Sequence, residues 1–179
     1  MNTGYQSAIE LAKTKLRSGN GNYYTHINWF GKETPVESGN EIEQVLWLHY
    51  LASEGSLNPT GKLIAFREIK GAMNYEPKFA ARAIRPIIKT FGNQPQALIK
   101  AGEALGGIPA KHGDAAITVT PLINIPLTYI IWAGDDEFPA DGNVLFDETA
   151  PFWLPAEDLV FLVSLCSYKL LAKHREVTL

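Results

Sequence analysis

Residues 127–132, Leu-Thr-Tyr-Ile-Ile-Trp, decide the fold. Side chains on a strand alternate between two faces, so Leu127, Tyr129 and Ile131 share one face and Ile130 and Trp132 the other. Both sets are largely apolar, which predicts an interior strand covered on both sides. Upstream, Ala115–Thr120 has strand character as well, and downstream Val144–Phe146 supplies a third, short strand. Strands that follow one another through short turns place the chain in the α+β class. The expected architecture is a mainly antiparallel sheet with about five helices packed on it.

Outward from that segment, the spacing of apolar residues and turn formers predicts the remaining elements. Ile9, Leu11, Ala12 and Leu16 lie near helical spacing within a helix over 3–17 that Gly19 closes. Tyr24–Phe30 and Thr34–Val36 read as two strands around a turn at Gly31-Lys32, with Pro35 confining the second to a sheet edge. Asn40 and Glu43 have cap spacing for a helix over 41–53, apolar on most sides from Val45 onward. A turn at Asn58-Pro59-Thr60-Gly61 leads into a brief strand at 62–66. The helix over 75–91 is expected to be interrupted or kinked at Pro86, since proline removes a donor and crowds the preceding turn. Pro95 starts a helix over 95–105 that Gly106-Gly107 stops. Pro155-Ala156-Glu157-Asp158 opens the last, running to about Lys173, with acids in its first turn and bases in its last. No repeat, low-complexity tract or linker interrupts the chain, so residues 1–179 read as a single domain.

Composition narrows the class. Of the 179 residues 46% are apolar and 20% charged, ordinary values for a chain that builds a core. The net charge of −3 gives no reason to expect nucleic-acid binding. The opening MNTGYQSAIELAKTKLRSG carries no apolar stretch of the secretory kind, and no apolar run is long enough to span a bilayer, which predicts a soluble, cytoplasmic protein. Cys166 is the sole cysteine, so this chain alone can hold neither an internal disulfide nor an iron–sulphur cluster. Set within Val160–Cys166, it reads as buried core rather than nucleophile.

Charge is distributed unevenly. From His112 to Tyr168 there is no Lys or Arg but there are nine acids, whereas the first 111 residues carry 13 basic and 9 acidic side chains. The densest acidic stretch is Trp132–Asp147, in which Asp135, Asp136 and Glu137 are consecutive and Asp141-Gly142 reads as a turn. Adjacent carboxylates repel one another unless a cation, a basic partner or solvent screens them. Asp135, Asp136, Glu137 and Asp147 are therefore candidate ligands for Mg²⁺ or Ca²⁺, which prefer oxygen donors. The calcium-loop template fails here, because Pro139 would occupy a ligating position. A solvated hairpin end is the ordinary reading of such a loop.

A basic counterpart lies on the helix over 75–91. Lys78, Arg82, Arg85 and Lys89 fall at steps of four, three and four, so they stack on one helical face, opposite Phe79, Ile87 and Phe91. Such a stripe can grip phosphate or carboxylate, although an ordinary solvated face has the same pattern. The glycine-rich segment 106–114 puts His112 near Asp114 in the manner of an oriented acid–base pair, or else it is simply a helix stop and crossover loop. No phosphate-loop or dinucleotide fingerprint, paired metal-binding histidine motif or nucleophile elbow occurs. His49, on a nearly all-apolar helix, reads as a hydrogen-bonded core histidine.

Gly106-Gly107 with Gly113-Asp114, the strand from Ile125-Pro126-Leu127 to Trp132, and Asp136-Glu137-Phe138-Pro139 through Leu145-Phe146-Asp147 together resemble an uncharacterised domain-of-unknown-function family of bacteria and archaea, mostly anaerobes. The resemblance spans most of the chain and implies an accessory role in anaerobic metabolism. Some family members are joined to iron–sulphur segments or occur in settings of corrinoid and one-carbon metabolism, and this chain departs from those fusions in having one cysteine. Two functions follow. One is a binding module that docks a small-molecule cofactor, or a redox or methyl-transfer protein, through the acidic segment and the basic stripe. The other is a metal-assisted enzyme in which Asp135, Asp136, Glu137 or Asp147 holds a divalent ion and His112 acts as base. Convergence of these side chains in one pocket would favour the enzyme, and an acidic loop standing free in solvent the module.

Overall fold

The computed structural model describes residues 6–7, 9–10, 26–53 and 55–178. Gln6, Ser7, Ile9 and Glu10 are helical, as expected for that segment, and Ile9 is buried. The rest of the helix read over 3–17, and Tyr24 and Thr25 of the first strand, lie outside the described residues.

Strands β1 (His26–Trp29) and β2 (Lys32–Pro35) form a two-stranded antiparallel hairpin. Its turn places both Phe30 and Gly31 at positive φ, 50° and 76°, the twist that a two-residue hairpin requires. Phe30 holds this conformation because its N–H donates to the Pro121 carbonyl at 2.9 Å and its ring packs edge-on to Trp29. Helix α1 (Glu41–Leu51) begins as its sequence dictates. The Asn40 side chain accepts from the Ile42 and Glu43 amides while the Glu43 carboxylate accepts from the Asn40 amide, a reciprocal cap.

The main sheet has the order β3 (Leu63–Ala65), β7 (Asp141–Asp147), β6 (Ile125–Trp132), β5 (Ala115–Leu122), β4 (Ile108–Ala110), and every neighbouring pair is antiparallel. The strand that decided the fold is thus the central one. Leu127, Tyr129 and Ile131 are fully buried on one face, and Thr128 and Ile130 are nearly so on the other. Ile117, Val119, Val144 and Phe146 complete the first face and belong to the main hydrophobic core. Two strands depart from expectation. Ile108–Ala110 was read as part of a crossover loop and instead forms the edge strand β4. Asp141-Gly142 was read as a turn and instead opens β7, with Asp141 paired to Trp132.

Helices α2 (Glu76–Phe79) and α3 (Arg85–Phe91) are joined without a break by a π turn over Ala80–Ile84. Pro86 explains it. Its ring would crowd the carbonyl four residues back, and widening the preceding turn relieves that contact. The Arg85 amide accordingly donates to the Ala80 carbonyl, five residues back. The Ala83 carbonyl accepts from the Ser167 hydroxyl (3.1 Å), and Ser167 in turn meets the Tyr129 hydroxyl (3.1 Å). A buried polar chain therefore ties the π turn to helix α5 (Ala156–Thr178) and to the central strand. Helix α4 (Pro95–Glu103) packs on β5. Cys166 is fully buried, and burial pushes its thiol up to about 12, so it is a core residue as read from the sequence. Among the described residues, no helix is long and apolar enough to cross a membrane.

Candidate functional site

Strand β6 runs out at Trp132, and residues 133–140 carry the chain to β7 at the same end of the sheet. Asp135 builds that connection. Its Oδ1 accepts from the amides of Glu137 (2.9 Å) and Phe138 (2.7 Å), and its own amide donates to the Phe138 carbonyl. The two amide donors hold its carboxyl below the usual carboxylate range. Asp136 and Glu137 are exposed, and neither accepts a side-chain hydrogen bond from a described residue. Asp141, also exposed, accepts from the Gly142 amide. Ala140 lies against Gly92, so the loop abuts the end of α3. Two large apolar side chains stand among these acids: Phe138 is 67% exposed and Trp132 42%.

The glycine-rich loop reaches the same end. Asp114 donates its amide to the Ile131 carbonyl, and its carboxylate accepts from the Ala133 amide at 2.7 Å. Gly113 makes this approach possible. Its φ is +54°, and a Cβ there would come within 2.6 Å of the Ile131 oxygen. His112, Asp114, Asp135, Asp136, Glu137 and Asp141 therefore share one end of the sheet. His112 and Asp114 do not form the pair read from the sequence, because the Asp114 carboxylate is directed to the strand backbone and His112 is exposed.

Asp147 is elsewhere. It closes β7 at the far end, about 20 Å from Asp141 at the rise of an extended strand. It is 1% exposed, and it accepts from the Gly61 amide (2.7 Å), the Thr60 amide (3.2 Å), the Thr149 amide (3.0 Å) and the Thr149 hydroxyl (2.7 Å). Burial pushes its carboxyl up, but the donors outweigh that and hold it below the usual range. This carboxylate staples the loop before β3 to the end of β7. The four acids read as a metal set are thus divided between opposite ends of a strand. Among the described residues no three His, Cys, Asp or Glu side chains come close enough to hold a metal ion.

Lys78, Arg82, Arg85 and Lys89 are all exposed, and none forms an ion pair with a described residue. The π turn, however, divides the stripe. One additional residue in a turn rotates everything beyond it by about 100°, so Lys78 and Arg82 form one pair and Arg85 and Lys89 another. Sequence reasoning missed one further arrangement. His49 Nδ1 lies 2.8 Å from Asp158 Oδ2, joining α1 to the first turn of α5. The His49 side chain is 41% exposed and Asp158 is buried beneath it, so His49 is hydrogen-bonded as read but does not lie in the core. The two are 109 residues apart, and no local pattern links them.

The model of one protein family, described as Domain of unknown function (DUF3786), matches residues 22–169, a span that holds both hairpin ends and the whole main sheet. Comparison with curated proteins and with solved structures finds no match. Because the family model covers most of its length, the chain belongs to the DUF3786 family, a family of domains of unknown function.

Proposed function

We propose that the domain is a cytoplasmic binding or accessory module that docks a basic protein partner through the sheet end formed by Trp132–Asp141. One observation carries the reading: two large aromatic side chains, Trp132 and Phe138, stand exposed on the same connection as the exposed acids Asp135, Asp136, Glu137 and Asp141. Exposed aromatics with charged neighbours are the usual anchors of a protein interface, the charges steering the partner and the rings contributing most of the affinity. The resemblance to domains found mostly in anaerobes makes a redox or methyl-transfer protein the favoured partner.

The test uses the full chain immobilised and exposed to extract of its source organism, with each retained protein then purified and titrated by calorimetry. A genuine partner binds wild type, is weakened by salt, and is lost both on Phe138→Ser and on the triple change Asp135→Asn, Asp136→Asn, Glu137→Gln. Retained proteins that bind both variants as tightly as wild type would overturn the reading. Thermal melts with Mg²⁺, Ca²⁺, Mn²⁺ and a corrinoid run alongside. A stabilisation by a divalent ion that the triple change removes would return the metal-assisted enzyme to first place.

A further inference from the structure

A second site lies away from the acidic loop, where α2 runs beside the first turns of α1 and α5. There a cleft of 340 Å³ has Ile42, Val160 and Phe161 as its apolar lining, and Tyr75, Lys78, Arg82 and Glu157 complete it. Its volume falls within the range of about 300–1,000 Å³ typical of small-molecule sites. The two cations are placed over aromatic rings: Lys78 Nζ is 5.9 Å from the centre of Tyr75, and the Arg82 guanidinium 5.9 Å from that of Phe161. Neither cation has a carboxylate partner among the described residues. The one acid in the lining, Glu157, instead accepts from the Tyr75 hydroxyl at 3.1 Å.

We infer that this cleft binds a small organic anion, a phosphate monoester or a carboxylate with a flat apolar body. Lys78 and Arg82 take the anion, Arg82 with the fork that suits a planar or tetrahedral oxyanion. Phe161 and Val160 take the apolar body. Ile42 and Glu157 belong to the first turns of α1 and α5, whose positive ends are already met by Glu41, Glu43, Glu157 and Asp158, so the attraction for the anion comes from Lys78 and Arg82 themselves. The π turn contributes by separating this pair from Arg85 and Lys89, so that only half of the basic stripe meets the apolar lining. Sequence spacing alone made the four residues equivalent, and the fold makes them unequal.

The test follows the methyl resonances of Ile42 and Val160 by NMR as phenyl phosphate, benzoate, inorganic phosphate and phenol are added to the full chain. Phenyl phosphate or benzoate should shift both methyls at lower concentration than inorganic phosphate or phenol. The double change Lys78→Gln, Arg82→Gln should weaken that binding about tenfold or more. All four basic side chains are exposed, so folding is not at stake. The control double change Arg85→Gln, Lys89→Gln alters charge equally and should leave the affinity within about twofold. Methyls that stay still at millimolar ligand, or two double variants that lose affinity alike, would overturn the inference. The Asp135→Asn, Asp136→Asn, Glu137→Gln protein should bind phenyl phosphate as wild type does, which keeps this outcome separate from that of the docking surface.

Discussion

The two ends of β7 carry the same functional group in opposite circumstances. At Asp147 four donors surround one carboxylate that is 1% exposed, whereas six residues earlier Asp141 and its neighbours Asp136 and Glu137 face solvent. Both ends contributed to one acidic segment in the sequence. What separates them is the supply of backbone N–H groups. The Thr60-Gly61 turn and the Thr149 turn deliver theirs to Asp147, whereas at the other end Asp135 receives two from its own turn, Asp114 one from Ala133 and Asp141 one from Gly142. A carboxylate buried among donors becomes part of the scaffold, and one that is exposed with few or none stays available to a partner.

The largest test of this contrast moves a carboxylate to a place with no donors at all. Ile131 is fully buried in the central strand, four residues from Asp135. Ile131→Asp would bury an unpaired charge in the core and should abolish cooperative folding, read as loss of the thermal transition and of soluble yield. A soluble variant with an unchanged melt would show that this strand is not interior.

Removing donors' work from the other end should cost less. Asp147→Asn keeps the shape but loses the charge that two amides, Thr149 N–H and the Thr149 hydroxyl address, and should destabilise by about 1–3 kcal/mol, or about 2–4 °C of melting temperature per kcal/mol. The pH dependence has a definite sign. The folded carboxyl is held below its unfolded value, so its contribution is present above about pH 4 and is lost as pH falls through the lower folded value. Wild type should therefore lose stability more steeply below that pH than Asp147→Asn, and the two melting curves should converge in acid. Parallel curves would mean that the four donors do not act on the charge.

Much of the fold was legible because the deciding signals are local. The two-sided apolarity of 127–132, the Asn40–Glu43 cap and the distortion ahead of Pro86 each follow from residues within one turn or strand. The misreadings share a non-local cause. Strand β4 is three residues of Ile-Pro-Ala beside paired glycines, and only pairing with β5 makes it a strand. Asp141-Gly142 has turn chemistry, yet a Cβ on Gly142 would lie 2.9 Å from Ile131 Cδ1 and 3.0 Å from both the Ile130 oxygen and Ile88 Cγ1, so the glycine admits the neighbouring strand and α3 together. The site was legible in composition and not in arrangement. The acids were located, but Asp147's partners at 60 and 61 are 87 and 86 residues away, and no spacing could show that they remove it from the set.

The smallest expected effect separates the members of the acidic run from one another. On sequence the three are interchangeable, and relief of their mutual repulsion predicts that neutralising all three leaves the unliganded protein as stable or slightly more so. The geometry divides them. Asp136→Asn with Glu137→Gln removes two exposed charges that no described donor addresses, so the melting temperature should stay within about 2 °C of wild type or rise. Asp135→Ala removes the acceptor for two amides and should lower it, whereas Asp135→Asn retains a side-chain oxygen in the same place and should recover most of the loss. NMR titration supplies the independent reading. The Asp135 carboxyl should protonate at lower pH than an ordinary aspartate, and its titration should coincide with loss of protection at the Glu137 and Phe138 amides. If Asp135→Ala melts with wild type and those amides stay protected in acid, the turn does not depend on this carboxylate. Asp135 would then differ in nothing structural from Asp136 and Glu137.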